Sequence, residues 1–279
     1  MQLKDFREMV NRVLFCAKSG LSYGNAKEEA FLEKKRGELV IAASNEKLYY
    51  RLGFATMTVE NDFPDFDLII VRAKDLRKIV RARGTAQSMS IRVSGGEASF
   101  YVGSTRITAN TLPLPTMDSG ILKIVLELCK RNGITKPHNP LMPHEKFMRL
   151  YGARESLPER FPSFFAVNCP LLLETLDIVS AIADGWSYLT LNLSHGTLVL
   201  RVISDGDSAE AEIPCNYSGE AATLEFMLGF FTEIIKRVGD DFVSVRFMDG
   251  YAAITPAHSA ERAMPKYGYC FFLEQKNKK

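Results

Sequence analysis

Long apolar runs are missing from this chain. Although 46% of its 279 residues are hydrophobic, nothing approaches the roughly 18 consecutive apolar residues of a membrane-spanning helix. The first twenty residues, MQLKDFREMVNRVLFCAKSG, interleave charge with apolar side chains and lack the apolar core of a secretory leader. A cytoplasmic chain without membrane contact is expected. Cysteine is sparse: Cys16, Cys129, Cys169, Cys215 and Cys270 are widely spread, odd in number and contain no CxxC pair. That fits reduced thiols better than a disulfide frame or a zinc site.

Catalytic signatures are missing too. There is no P-loop and no GxGxxG. His138 and His144 flank Asn139 and two prolines, but their spacing matches no zinc pattern and ordinary loop histidines account for them. Asp205, Asp207 and Glu210 gather near a turn. They read as a weak cation site or as a polar hairpin tip, which turns favour. Asp118-Ser119-Gly120 lacks the strand–elbow–helix setting of a nucleophilic serine. A non-enzyme is expected, with no cofactor and no metal.

What is present is a core-forming composition and an uneven charge. The charged fraction of 24% is that of a soluble globular protein, and the length suits one large or two ordinary domains. Residues 1–118 carry 18 Lys and Arg against 14 Asp and Glu, and residues 119–160 carry 8 against 4. Residues 161–279 reverse the sign, with 9 against 15. Such asymmetry fits a basic surface turned to an anionic partner.

The elements repeat. In the first half Leu3, Phe6, Val10, Val13, Leu14 and Ala17 recur at helical spacing, followed by strand-like runs at 30–34, 38–43 and 47–59. A strand over 67–71, a helix over 73–83 and strands over 89–93, 98–102 and 106–111 follow. Gly95-Gly96 marks a two-residue hairpin. The second half gives a strand over 163–167, a helix entered through Pro170 and running over 171–184, and strands over 187–193, 197–203 and 209–216. It then restarts with strand 223–226, helix 228–238 and strands 242–247, 251–255 and 269–274.

Each half thus reads as strand–helix–three strands, performed twice. The fold class expected is α+β: two domains, 1–118 and 161–279, with helices on one face of antiparallel sheets. Residues 119–160, with a helical run at 121–131 and the Pro-rich KPHNPLMPHEKF, form a connector between them.

Three stretches carry a resemblance. LVIAASNEKLYYRLGF (39–54), VRAKDLRKIVRARG with MSIRVSGGEASFYVGSTRITANTL (71–84 and 89–112), and YSGEAATLEFMLGFFTEIIKRVGDDFVSVRFMDGYAAITPA (217–257) resemble bacterial DNA polymerase III beta subunits, the sliding clamps. The likeness covers both halves and leaves the connector unexplained. It implies two clamp-like domains and a processivity factor that encircles or contacts double-stranded DNA non-specifically and tethers a polymerase. Bacterial clamps have three such domains and form dimers. A two-domain chain would need three copies, joined head to tail, for a six-domain ring.

A clamp holds DNA through Lys and Arg aimed at phosphates from rigid helices. Lys74, Arg77, Lys78 and Arg81 follow i, i+3, i+4, i+7, opposite Leu76, Ile79 and Val80. Lys4, Arg7 and Lys18 share a face of the first helix. Both sets are phosphate candidates, with a solvated helix face as the alternative. The second half argues the other way: Glu174, Asp177 and Asp184 stand on its first helix without a Lys or Arg, and Glu233 accompanies Lys236 and Arg237 on its second. Clamps also accept a polymerase peptide in a pocket lined by the C-terminal strand, which places Phe271, Phe272 and Leu273 there. A strand covered on both faces is the other account of that apolar run. The alternative for the whole chain is a clamp-fold protein-interaction module that closes no ring on DNA.

Overall fold

The computed structural model describes residues 1–17, 28–35, 37–45, 51–59, 64–82, 86–112, 163–184, 186–248, 251–257 and 267–274. They fall into two compact lobes, one holding the described residues to Leu112 with Tyr267–Tyr269 and the other those from Ser163 to Ala257 with Cys270–Glu274. The connector expected at 119–160, with His138 and His144, lies outside the described residues, as does Lys18.

The first lobe opens with helix α1 (Leu3–Val13), which ends in a 3-10 turn at Leu14–Ala17. Strands β1 (Glu28–Lys35), β2 (Glu38–Asn45), β3 (Arg51–Thr58) and β4 (Phe66–Arg72) lead into α2 (Ala73–Arg81). Strands β5 (Met89–Ser94), β6 (Glu97–Val102) and β7 (Thr105–Asn110) complete the lobe. In the second lobe β8 (Ser163–Asn168) precedes α3 (Cys169–Val179), then β9 (Tyr188–Ser194), β10 (Thr197–Ser204) and β11 (Asp207–Pro214). The order repeats with β12 (Ala222–Met227), α4 (Leu228–Val238), β13 (Phe242–Met248), β14 (Tyr251–Ala257) and β15 (Tyr267–Glu274). Two helices are shorter than their periodicity suggests. Ala82 turns extended after α2, and α3 tightens into a 3-10 turn at Ser180–Ile182.

Residue chemistry explains these local choices. Helical spacing of Leu3, Phe6, Val10 and Val13 seals one side of α1. Asn168 caps α3, its Oδ1 accepting from Leu171 N at 3.0 Å, and Pro170 occupies the first turn, where a missing N–H costs nothing. Gly95 and Gly96, at φ 58° and 80°, make the β5–β6 turn whose twist matches its strands. Gly53 permits a close approach: a Cβ there would stand 2.9 Å from Cys16 Sγ.

The pairing is reciprocal within each lobe. β4, the lead strand of the second repeat, pairs antiparallel with β1 of the first repeat. In return Gln2, ahead of α1, bridges to Ser88 beside β5, with Leu3 N to Gln87 O at 2.8 Å and Met89 N to Met1 O at 2.9 Å. The second lobe does the same, since β12 pairs with β9 and β8 with β13. Each repeat therefore completes the other's sheet. The helices pack against these sheets and, in each lobe, against one another. Phe6 meets Phe100 at 6.4 Å in the first core, and Phe226 stacks on Phe231 at 5.4 Å in the second.

Candidate functional site

The strongest positive feature among the described residues lies on α2. Ala73, Leu76 and Ile79 are buried, which turns Lys74, Lys78 and Arg81 outward, and all three are exposed. From Lys74 to Arg81 the helix rises about 10 Å, the axial length of roughly three nucleotide steps on one DNA strand. Lys74 and Arg81 have no ion-pair partner among the described residues. Lys78 Nζ sits 2.8 Å from Asp75 Oδ1, but its side chain is largely solvated, so the pair is weak and exchangeable. On α1, Lys4 is 85% exposed and only loosely associated with Glu8 at 3.9 Å.

Two of the expected phosphate ligands make contacts within the lobe. Arg77 Nη1 pairs with Glu28 Oε2 on β1, and both side chains are about three-quarters buried. Arg7 Nη2 donates to the carbonyl of Ala82 at the end of α2, where a cation offsets the helix dipole. Arg7 Nε and Arg77 Nη2 are buried as well. The shared helical face expected of Arg77 with Lys74, Lys78 and Arg81 therefore divides: Arg77 leans to the sheet, and the other three face water.

The second lobe presents the opposite surface. Glu174, Asp177 and Ile178 are exposed on α3, with Ile178 at 61%. On α4, Glu233, Lys236 and Arg237 are exposed, and Lys236 Nζ lies 3.6 Å from Asp177 Oδ1. Asp184 falls beyond α3, in the loop before β9. Its Oδ1 accepts from Trp186 N at 3.0 Å and from Ser187 N at 2.9 Å.

At the C-terminal strand, Phe271 is 0% and Leu273 1% exposed. Both are core residues in this arrangement, so neither offers its side chain to a peptide at the surface. Phe272 aligns with Ala253 of β14 in backbone register, and its side chain lies outside the described residues.

Burial pushes the Cys169 thiol up, and Asp240 and Asp241 push it further. Burial likewise raises the Cys215 thiol. Both stay protonated at neutral pH, which suits packing rather than nucleophilic attack. Among the described residues no three His, Cys, Asp or Glu side chains are grouped to hold a metal ion. No helix among them is long and apolar enough to cross a membrane. Asp205 and Asp207 form the β10–β11 hairpin tip, with Asp205 at φ 49° and Gly206 at 92°.

No protein-family profile matches the chain, and no curated protein matches it significantly. Solved structures do. The DNA polymerase III beta subunit of Thermotoga maritima superposes with a TM-score of 0.73 at 17% identity, covering 100% of this chain and 65% of that one. The DNA polymerase sliding clamp of Caulobacter crescentus gives 0.68 at 14%, with 100% and 65% covered. A putative DNA polymerase III beta subunit from Eubacterium rectale gives 0.69 at 13%, with the same coverage. The chain has the α+β fold of these clamps and spans about 65% of their length.

Proposed function

We propose that this chain is a sliding clamp-like processivity factor that contacts duplex DNA non-specifically and tethers a polymerase, without enzymatic activity of its own. The observation that carries the reading is the outward row Lys74, Lys78, Arg81 on a helix of a clamp fold. Charges of one sign on a rigid helix favour phosphates without reading bases. Lys4 joins this set, while Arg7 and Arg77 hold the helices that present it.

The sheet edges support a proposed mode of assembly. β7 and β11 are terminal strands of their described sheets, and such edges pair with another chain unless they are covered. β7 exposes Arg106, which pairs with Glu97 at 2.6 Å, and β11 exposes Asp207, Glu210 and Glu212. Head-to-tail joining of β7 to β11 in three copies would close six clamp-like domains. Polymerase tethering would involve the C-terminal strand through Phe272 rather than through Phe271 or Leu273.

The test is duplex binding followed by fluorescence anisotropy, with and without Lys74→Glu, Lys78→Glu and Arg81→Glu together. Sequence-independent binding that weakens with salt and collapses in the triple variant supports the proposal. Unchanged affinity would remove α2 from the DNA-facing set. Light scattering reads the assembly, and a trimer supports ring closure. The exposed carboxylates of α3 favour a second reading, in which the chain is a clamp-fold protein-interaction module that closes no ring. A monomer at high concentration, with no affinity for DNA, is its signature.

A further inference from the structure

One end of the second lobe's outer sheet face is apolar in an acidic frame. Met227 and Tyr188 are directly paired across β12 and β9. The next register position after Leu189↔Val202 sets Tyr188 beside Ile203 of β10. Leu189 and Val202 are fully buried, whereas Tyr188 is 43% and Ile203 58% exposed, so the row Met227–Tyr188–Ile203 lies on the side of the sheet away from the core. Trp186, 38% exposed, stands just before β9 with its ring edge-on to Phe230 at 6.1 Å. Half of the exposed large hydrophobic side chains among the described residues thus gather at this end of one sheet.

The patch is pre-arranged. Asp184 holds the backbone of Trp186 and Ser187, and Leu228 N donates to Ser187 O at 2.9 Å, tying the loop to the start of α4. A tip with left-handed backbone at Asp205 and Gly206 ends β10 just beyond Ile203. Carboxylates surround the row: Asp184 beside Trp186, Asp205 and Asp207 at the hairpin tip, and Glu225 and Glu210 one register step along the face. Arg201 is the one cation at that step, and Glu210 lies 3.9 Å from it.

We propose that this patch is a docking site for a short peptide segment of a partner protein, with an aromatic or long aliphatic anchor flanked by lysine or arginine. The charge selects the occupant: carboxylates repel DNA phosphates and attract basic side chains. The size does too. Three strands about 4.8 Å apart offer a row near 10 Å wide. A stable contact with a second copy would need roughly 1,200 Å² in total. The site is separate from the basic face of α2 and from the C-terminal strand, so it goes beyond the DNA-holding role.

The chain's single tryptophan is Trp186, which gives a direct readout. The probe is a tryptophan-free decapeptide alternating lysine with leucine around a central phenylalanine, titrated against the full chain. Saturable change in Trp186 fluorescence is expected, with affinity about tenfold weaker in Ile203→Ser and in Tyr188→Ser. Asp205→Asn with Asp207→Asn should also weaken it, while thermal unfolding stays that of the unaltered chain. A matched peptide with glutamate for lysine should not bind. The proposal is overturned if the Ile203→Ser and Tyr188→Ser variants bind as well as the parent, or if a lysine–serine peptide binds equally. It is also overturned if sedimentation shows self-association that Ile203→Glu abolishes, since the patch would then belong to a second copy.

Discussion

In the first lobe α1 and α2 present Lys4, Glu8, Lys74, Lys78 and Arg81 to water, whereas in the second α3 and α4 present Glu174, Asp177, Ile178, Glu233 and Arg237, with Lys236 partly neutralised by Asp177. Beneath those surfaces the two pairs are built alike. Each helix follows a lead segment that pairs with the other repeat's sheet, each buries an apolar face, and each pair packs helix on helix. The fold constrains the inward face of every helix and leaves the outward face free. Two lobes with one architecture can therefore meet different partners.

The largest effect tests the shared part. Phe6→Ala and Phe231→Ala remove fully buried rings from the two cores, and each should cost about 3–5 kcal/mol in denaturant unfolding. A cost under about 1 kcal/mol in one lobe alone would mean that the two pairs are not equivalently anchored. Next comes the divergent part. Charge reversal at Lys74, Lys78 and Arg81 should lower duplex affinity at low salt by about a hundredfold. Glu174→Lys with Asp177→Lys should raise it, because the second lobe would then match the first. Equal affinity in both variants would show that helix surface charge does not set DNA contact.

Smaller effects sharpen the distinction between bracing and binding. Arg77→Leu removes the ion pair to Glu28, whose side chain is about three-quarters buried, and should cost about 1–3 kcal/mol of stability. The Lys74→Gln change should leave unfolding within about 0.5 kcal/mol while weakening DNA binding. If Arg77→Leu weakened DNA binding without loss of stability, Arg77 would return to the phosphate-facing set. Asn168→Ala removes the cap of α3, and a loss of about 1 kcal/mol is expected in thermal unfolding. The first lobe has no such side-chain cap on α1 or α2, so Gln2→Ala and Arg72→Ala should lose no capping hydrogen bond.

Much of the element order was readable because helix and strand periods survive in single segments. The two-residue turn at Gly95-Gly96, the Pro170 entry and the alternation of β9 and β10 each follow from local chemistry. The outward row of α2 was readable for the same reason, since Leu76 and Ile79 declare which side is inward. The fates of Arg7 and Arg77 were not, because Ala82 and Glu28 are distant in sequence and no helical wheel contains them. Phe271 and Leu273 illustrate the limit from the other side. An apolar strand looks the same whether it lines a pocket or a core, and only its neighbours decide.

By itself the sequence determined the repeat of helix and three strands, with a lead strand in three of the four units, the sign of the α2 surface and the turns between strands. These depend on contacts within a few residues and on the 3.6 and 2.0 periods of the backbone. Tertiary structure alone decided that lead strands are exchanged between repeats, that Arg7 and Arg77 contact Ala82 and Glu28, and that Trp186, Tyr188, Ile203 and Met227 lie at one sheet end. Hydrogen-bonded register joins residues far apart in the chain, and no local pattern encodes which strand will lie beside which.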